Sequence, residues 1–331
     1  MIIKETVGID VSKKTLDVHI HKRKMHEQYN NTSKDIKKIV EWVFSNTTYT
    51  KDEVLFVFEH TGMYSEQLMT VLSEKDIKFS VISGLEIKRS MGLIRGKSDK
   101  ADAAMIALYG YRLREEIKLT QMPSEDLKSL KRLLGLRDRL VKQRAGHKAC
   151  RGKQKRVLNK KDNKVLFDVQ NQMINYLSKK IDKVEKEIKV IVKSNKIIND
   201  LDKLITSILG VGSVTSLYMI VFTQAFTKFE TWREFASYSG IAPFKNSSGT
   251  SVRGKTKVSH LANKNIKSLL DQCAKSALQH NPEIKQYYER RIAKGKNKMS
   301  TINVIRNKIV ARIFAVVRRG TPYVNTLKYA A

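Results

Sequence analysis

The chain has 331 residues, 41% of them hydrophobic, and carries 64 Lys and Arg against 32 Asp and Glu, a formal charge of +32. That length predicts two or three units with real cores, and that charge predicts a polyanionic partner. Cys150 and Cys273 are the only cysteines, which excludes a disulfide framework or a cysteine zinc cluster and suits a reducing cytoplasm.

Residues 1–118 read as an α/β sheet domain. Val7, Ile9 and Val11 alternate as a strand, and Leu16, Val18 and Ile20 alternate again after the polar turn Ser12-Lys13-Lys14. Asp10 stands near the end of the first strand, where an unpaired buried carboxylate costs several kcal/mol. Either a cation neutralises it or the strand end lines a site. Thr32 or Ser33 caps a helix whose Ile36, Ile39, Val40 and Val43 fall on one face. Val54 to Glu59 is a continuous apolar run, typical of a strand buried on both faces. A helix with Tyr64, Leu68, Val71 and Leu72 on one side comes next, then a strand from Lys78 to Ser83.

Glu59 ends its strand as Asp10 ends its own, and sites in such sheets gather at strand carboxyl ends. Asp99 and Asp102, three apart at the start of a helix, share one face. If the four converge, they make an all-oxygen site suited to Mg²⁺ or Mn²⁺ rather than zinc, and metals so held serve phosphoryl transfer. The competing account has the helix dipole satisfying Asp99 and Asp102, with Glu59 in a salt bridge.

Residues 119–200 read as a basic helical region. Ile174, Leu177, Ile181, Val184, Ile188 and Ile191 are spaced 3, 4, 3, 4, 3, the seam of a coiled coil or an antiparallel hairpin, within one chain or between two. Before the seam, the run Lys142 to Lys164 includes Lys153, Lys155 and Arg156, with Asp162 as its one acid. That imbalance predicts phosphate contact rather than a merely solvated face.

Residues 201–331 read as mainly helical. Gly210 and Gly212 lie between two helical patterns, the arrangement that offers backbone N–H groups and a helix N-terminus to a phosphate. A plain helix–helix turn explains them equally well. Residues 245–260, rich in Ser, Gly and Lys, read as a flexible exposed loop carrying Arg253, Lys255 and Lys257. Ile302 to Gly320 reads as a buried helix with its cations toward the end.

Charge separates the two halves. Residues 1–110 hold 17 Lys and Arg against 15 Asp and Glu, leaving 47 against 17 for the remainder. No Lys/Arg-rich helix carries a broad Trp/Phe/Leu face, the longest apolar runs are too short to span a bilayer, and the first residues lack a signal-peptide core. Nucleic acid is the better expectation than a membrane.

The segments VGIDVSKKTLDV, FEHTGMY, GKSDKADA, LGVGSVTS, YSGIAP and SSGTSVRGKTKVSH resemble, in order and separation, the DEDD-type insertion-sequence transposases. The resemblance runs over nearly the whole chain. It implies an N-terminal RuvC-like domain of RNase H fold followed by a C-terminal transposase domain bearing a nucleophilic serine; with the helical patterns above, the expected architecture is an α/β first domain, a helical coiled-coil linker and a mainly α-helical C-terminal domain. It places the family's four acids on Asp10, Glu59, Asp99 and Asp102, binding Mg²⁺ or Mn²⁺, and its serine on Ser248, the one directly before Gly249. Ser247 and Ser251 remain alternatives by spacing. The resemblance further implies donor and target DNA, a structured guide RNA from the element, and dimers assembling to tetramers, acting in the bacterial cytoplasm on the nucleoid. Three rivals are distinguished by chemistry: a junction resolvase uses the same acids with water, a structural nucleic-acid-binding protein needs neither acids nor serine, and an actin-like kinase needs a second Gly-rich phosphate loop that this sequence lacks.

Overall fold

The computed structural model describes residues 2–90, 98–248 and 252–324. Two compact units divide the chain, residues 1–122 and 123–331.

The first unit is built on five strands, β1 (Glu5–Val11), β2 (Thr15–Ile20), β3 (Met25–Asn30), β4 (Val54–Glu59) and β5 (Phe79–Ile82), in the order β3-β2-β1-β4-β5. β1, β2 and β3 pair antiparallel, whereas β4 runs parallel to both β1 and β5. The helices are α1 (Ser33–Ser45), α2 (Glu66–Glu74), α3 (Gly84–Ser90) and α4 (Asp99–Arg112).

The alternation in β1, β2 and β4 sorts the sheet into two buried faces. One gathers Val7, Ile9, Leu16, Val18, Phe56 and Phe58 with Ile36, Ile39 and Val43 of α1 and Leu68, Val71 and Leu72 of α2. The other gathers Leu55 and Val57 with Ile87 of α3 and Ile106 and Tyr109 of α4. Thr32 is the cap of α1, accepting from the Asp35 amide at 3.2 Å. Tyr64 departs from expectation: it lies in the short turn Gly62–Ser65 ahead of α2 and is 39% exposed, so it is no part of that helix's buried face. β3 is polar (MHEQYN) and carries no apolar alternation; it forms by pairing along β2, from Thr15 opposite Asn30 to Ile20 opposite Met25.

The second unit begins with α5 (Glu125–Gln154) and α6 (Lys164–Ser194), which pack against each other. Cross-links from Arg137 to Glu185, Arg144 to Ser178, Arg151 to Asn171 and Gln154 to Gln170 run in opposite directions along the two helices, so the pair is an antiparallel hairpin. Ile174, Leu177, Ile181, Val184 and Ile188 of the seam are buried within the chain. Residues 123–200 share their core with the helices of the C-terminal part: Leu127, Leu130, Leu134, Val184, Ile188 and Val192 join one cluster with α7 (Lys196–Thr206), α8 (Ser213–Phe222), α9 (Trp232–Tyr238), α10 (Lys264–His280), α11 (Pro282–Ala293) and α12 (Lys298–Arg319). Ile305, Ile309, Val310 and Ile313 bury the core-facing stripe of α12, which Gly320 ends in the left-handed conformation at φ 70°.

The loop expected at 245–260 is instead largely an antiparallel ribbon, β6 (Pro243–Ser248) against β7 (Val252–Val258), with a register irregularity between Phe244 and Asn246. Val252, Thr256 and Val258, at alternate positions of β7, suit a strand. Composition alone concealed this. Among the described residues, no helix is long and apolar enough to cross a membrane.

Candidate active site

Asp10 is the penultimate residue of β1, and Glu59 the last of β4, the strand parallel to it. Both half-buried carboxylates therefore stand at the same end of the sheet. Asp99 and Asp102 open α4, whose approach to the sheet depends on two glycines. At Gly8, any Cβ would strike the backbone of Ala103 and Ala107, and at Gly110 it would press on Val57. The Thr6 hydroxyl donates to the Ala107 carbonyl at 2.8 Å and fastens the same helix to β1. A strand glycine marks such a close backbone approach, and the first turn of α4 consequently lies beside Asp10.

Ser98 caps α4, accepting from the Ala101 amide at 3.2 Å, so neither aspartate is used as the cap. Among the described residues none of the four carboxylates is ion-paired. Burial, reinforced by the charges of Asp102, Asp99, Asp17 and Glu59, pushes Asp10 up to about 6. Uncompensated negative charge is thus the electrostatic character of this strand end. No group of three or more His, Cys, Asp or Glu side chains among the described residues stands at metal-binding separation.

Spacing gave no hint of two contributors. Asp17 faces Asp10 across the β1–β2 register, is 4% exposed, and is held by His26 at 2.9 Å and Gln28 at 3.0 Å. Gly84, at the start of α3, leaves the space that the Glu59 carboxylate occupies. Gly84→Ala should displace that carboxylate at little cost to the fold, since the colliding atoms are a side-chain end. Cleavage should fall by about 100-fold with the melting temperature nearly unchanged; equal cleavage by the variant in a gel assay would contradict this placement. His60, next to Glu59, accepts from the Gly62 amide at 3.0 Å and serves the local turn.

The Asp10 environment also sets a pH dependence. A carboxyl raised from 3.8 to about 6 favours the folded state at low pH, and that contribution is lost as pH rises through about 6. In metal-free protein, Asp10→Asn should therefore raise the melting temperature at pH 7.5 and leave it near wild type at pH 4. An equal shift at both pH values would contradict the charge argument.

In the second unit, Ser248 ends β6 opposite Val252, and Ser247 is registered opposite Arg253. The two serines therefore hold different register positions on the ribbon. The side chains of Ser248 and Arg253, and the whole of Gly249 and Ser251, lie outside the described residues. Lys255 and Lys257 are exposed on β7. The two hairpin glycines divide their labour. Gly210, at φ 95°, packs against Ala277 of α10, while Gly212 caps α8 and is exposed. Lys153, Lys155 and Arg156 are exposed where α5 turns toward α6. This structure does not bring them together with the β6–β7 ribbon as a described contact.

Comparison with known proteins agrees with these observations. A DEDD-type IS110 family model described as "Transposase" matches residues 7–154, and one described as "Transposase IS116/IS110/IS902 family" matches residues 202–289, together more than two thirds of the chain. The chain is 26% identical over 330 residues to the pilin gene-inverting protein of Moraxella bovis, covering 97% of this chain and 98% of that one, and equally to that of Moraxella lacunata. It is 32% identical over 123 residues, 37% of this chain and 30% of the relative, to an insertion element IS110 protein of Streptomyces coelicolor. The chain belongs to the DEDD-type IS110 family of transposases and is a DNA-recombining enzyme.

Proposed function

We propose that this transposase breaks and rejoins DNA by metal-dependent phosphoryl transfer, with Ser248 as the nucleophile. The observation that carries the reading is geometric: Asp10 and Glu59 end neighbouring parallel strands at one sheet end, the first turn of α4 brings Asp99 and Asp102 to that side of the sheet, and none of the four is ion-paired among the described residues. The sheet order supports an RNase H-like reading of the first unit. The donor set is all carboxylate, which fits a hard divalent ion, Mg²⁺ or Mn²⁺. A divalent ion held there would neutralise the repulsion and lower the cost of forming an oxyanion.

Each residue has its own task. Asp10, Glu59, Asp99 and Asp102 would hold the ion and orient it. The Ser248 hydroxyl attacks the DNA phosphorus and gives up its proton; a serine–phosphate bond forms as the bond to the leaving sugar oxygen breaks, and that oxygen takes up a proton. Arg253, Lys255 and Lys257 offset charge developing on the phosphate. Rejoining reverses these steps with a new sugar hydroxyl. Ser248 and the carboxylates belong to different units, so the chemistry requires the serine ribbon to reach a carboxylate site of its own chain or of a second copy. Homo-oligomers, dimers assembling to tetramers, satisfy that requirement. Guidance by a structured RNA from the element, paired to donor and target DNA in the cytoplasm, rests on the family resemblance. Gly212 with the start of α8, and Lys153, Lys155 and Arg156 at the hairpin tip, supply further phosphate contacts.

The test uses the full-length protein with its copurifying RNA, Mg²⁺, and duplexes carrying donor and target sequences. Joined donor–target strands are expected. Simple nicks without joined strands would favour the resolvase chemistry, in which water attacks.

A further inference from the structure

α11 and α12 pack against each other, with Ile284 of the first and Ile305, Ile309 and Ile313 of the second buried. On this pair, three cations converge on one half-buried ring. The Lys308 ammonium stands 4.4 Å from the centre of Tyr287, and the Arg290 and Arg291 guanidiniums stand at 5.7 and 5.8 Å. Arg291 also donates to the Tyr287 hydroxyl at 3.5 Å, while its Nε is buried without an acceptor.

Two of the nearby acids are already committed, and Glu289, beside Arg290 in α11, is a single acid against the three cations. Glu283 receives both bonds of Arg312 and the Tyr323 hydroxyl, and Asp271 pairs with Arg306 and Lys275. Among the described residues, none of the three cations at Tyr287 has an ion pair. Cation–π attraction, about 0.5–1 kcal/mol at exposed sites, holds each cation to the ring, yet the three repel one another. An anion placed among them removes that repulsion. The positive surface continues through Lys294, Lys296 and Lys298 at the turn between the helices.

We propose that Arg290, Arg291 and Lys308, gathered on Tyr287, form a docking surface for the phosphate backbone of duplex DNA. This rests on the reading that the chain acts on DNA. It adds a surface to the serine ribbon and the α5–α6 tip rather than replacing them. The ring's role is to hold the cations, so the contact is to phosphates and carries no base preference.

The test compares the full-length protein with the triple variant Arg290→Gln, Arg291→Gln, Lys308→Gln, by fluorescence anisotropy on duplex DNA across a salt series. Each lost phosphate contact removes about 0.9 from the slope of log affinity against log salt. The variant's slope should be shallower by about 2 to 3, equally on unrelated duplexes. The charge-keeping variant Arg290→Lys, Arg291→Lys, Lys308→Arg should retain the wild-type slope, which excludes misfolding as the cause of the loss. A control replacing the exposed Lys183, Lys186 and Lys193 of α6, a stretch with Asp182, Glu185 and Glu187, should change the slope by less than about 1. A wild-type slope in the triple variant, an equal loss in the control, or a loss seen with RNA but not with duplex DNA would each overturn the inference. If the wild-type protein itself shows a flat salt dependence, the electrostatic DNA-binding reading falls with it.

Discussion

Asp10→Ala and Glu59→Ala should each lower DNA cleavage by about 1,000-fold or more, the equivalent of roughly 4 kcal/mol of lost transition-state stabilisation. DNA affinity should stay within about twofold of wild type, because the field that gathers DNA lies elsewhere. Residues 1–110 carry 17 basic against 15 acidic side chains, whereas the rest carry 47 against 17. Two separate measurements therefore respond differently: a cleavage gel in Mg²⁺ and an anisotropy titration without it. Removing one carboxylate also relieves repulsion among those that remain, so the metal-free variants should be no less stable than wild type at neutral pH. Cleavage at the wild-type rate by either variant would remove the carboxylates from the chemistry.

Ser248→Ala should keep nucleic-acid binding and lower strand exchange by about 10,000-fold or to background, because the covalent intermediate cannot form. A serine–phosphate bond conserves the energy of the phosphodiester for rejoining, which a recombinase needs and a hydrolytic nuclease does not. Ser247→Ala should retain exchange. The two positions differ in register, Ser247 opposite Arg253 and Ser248 opposite Val252, so their exchange phenotypes should differ sharply. Loss of exchange in Ser247→Ala with retention in Ser248→Ala would move the nucleophile by one residue. Indifference to both would make water the nucleophile.

Much of the first unit was legible because β1, β2 and β4 are buried along most of their length and the helices bury one face. Val7, Ile9 and Val11 announce β1, and Ile36, Ile39, Val40 and Val43 announce α1. The α6 seam was equally plain, but its partner was not. Periodicity records that a face is buried and not against what; cross-links such as those from Arg137 to Glu185 and from Arg151 to Asn171 identify α5 as the partner. Elements held by pairing rather than burial stayed hidden. β3 is a polar strand along β2, and β6–β7 is a polar ribbon whose Ser, Gly and Lys content reads as loop.

The candidate site was legible as four acids and not as an arrangement. Asp10 and Glu59 could be placed at strand ends from their apolar runs. What brings Asp99 and Asp102 beside them is the absence of a side chain at Gly8, and what makes room for Glu59 is the same absence at Gly84. Glycines act here through the atoms they lack, and periodicity has no signal for that. Asp17 was hidden for a related reason: it sits among apolar neighbours in β2, and its relation to Asp10 appears only once the hairpin register is known.

The most direct measurement of the central account is the chemical identity of a trapped protein–DNA adduct. The full-length protein would be incubated with Mg²⁺ and a suicide duplex whose cleaved end diffuses away, then denatured, digested with nuclease and protease, and sequenced by mass spectrometry. The account predicts a nucleotide phosphate on Ser248, absent when Mg²⁺ is omitted and absent from Asp10→Ala. A phosphate on another residue, or cleaved DNA with no protein attached, would contradict it.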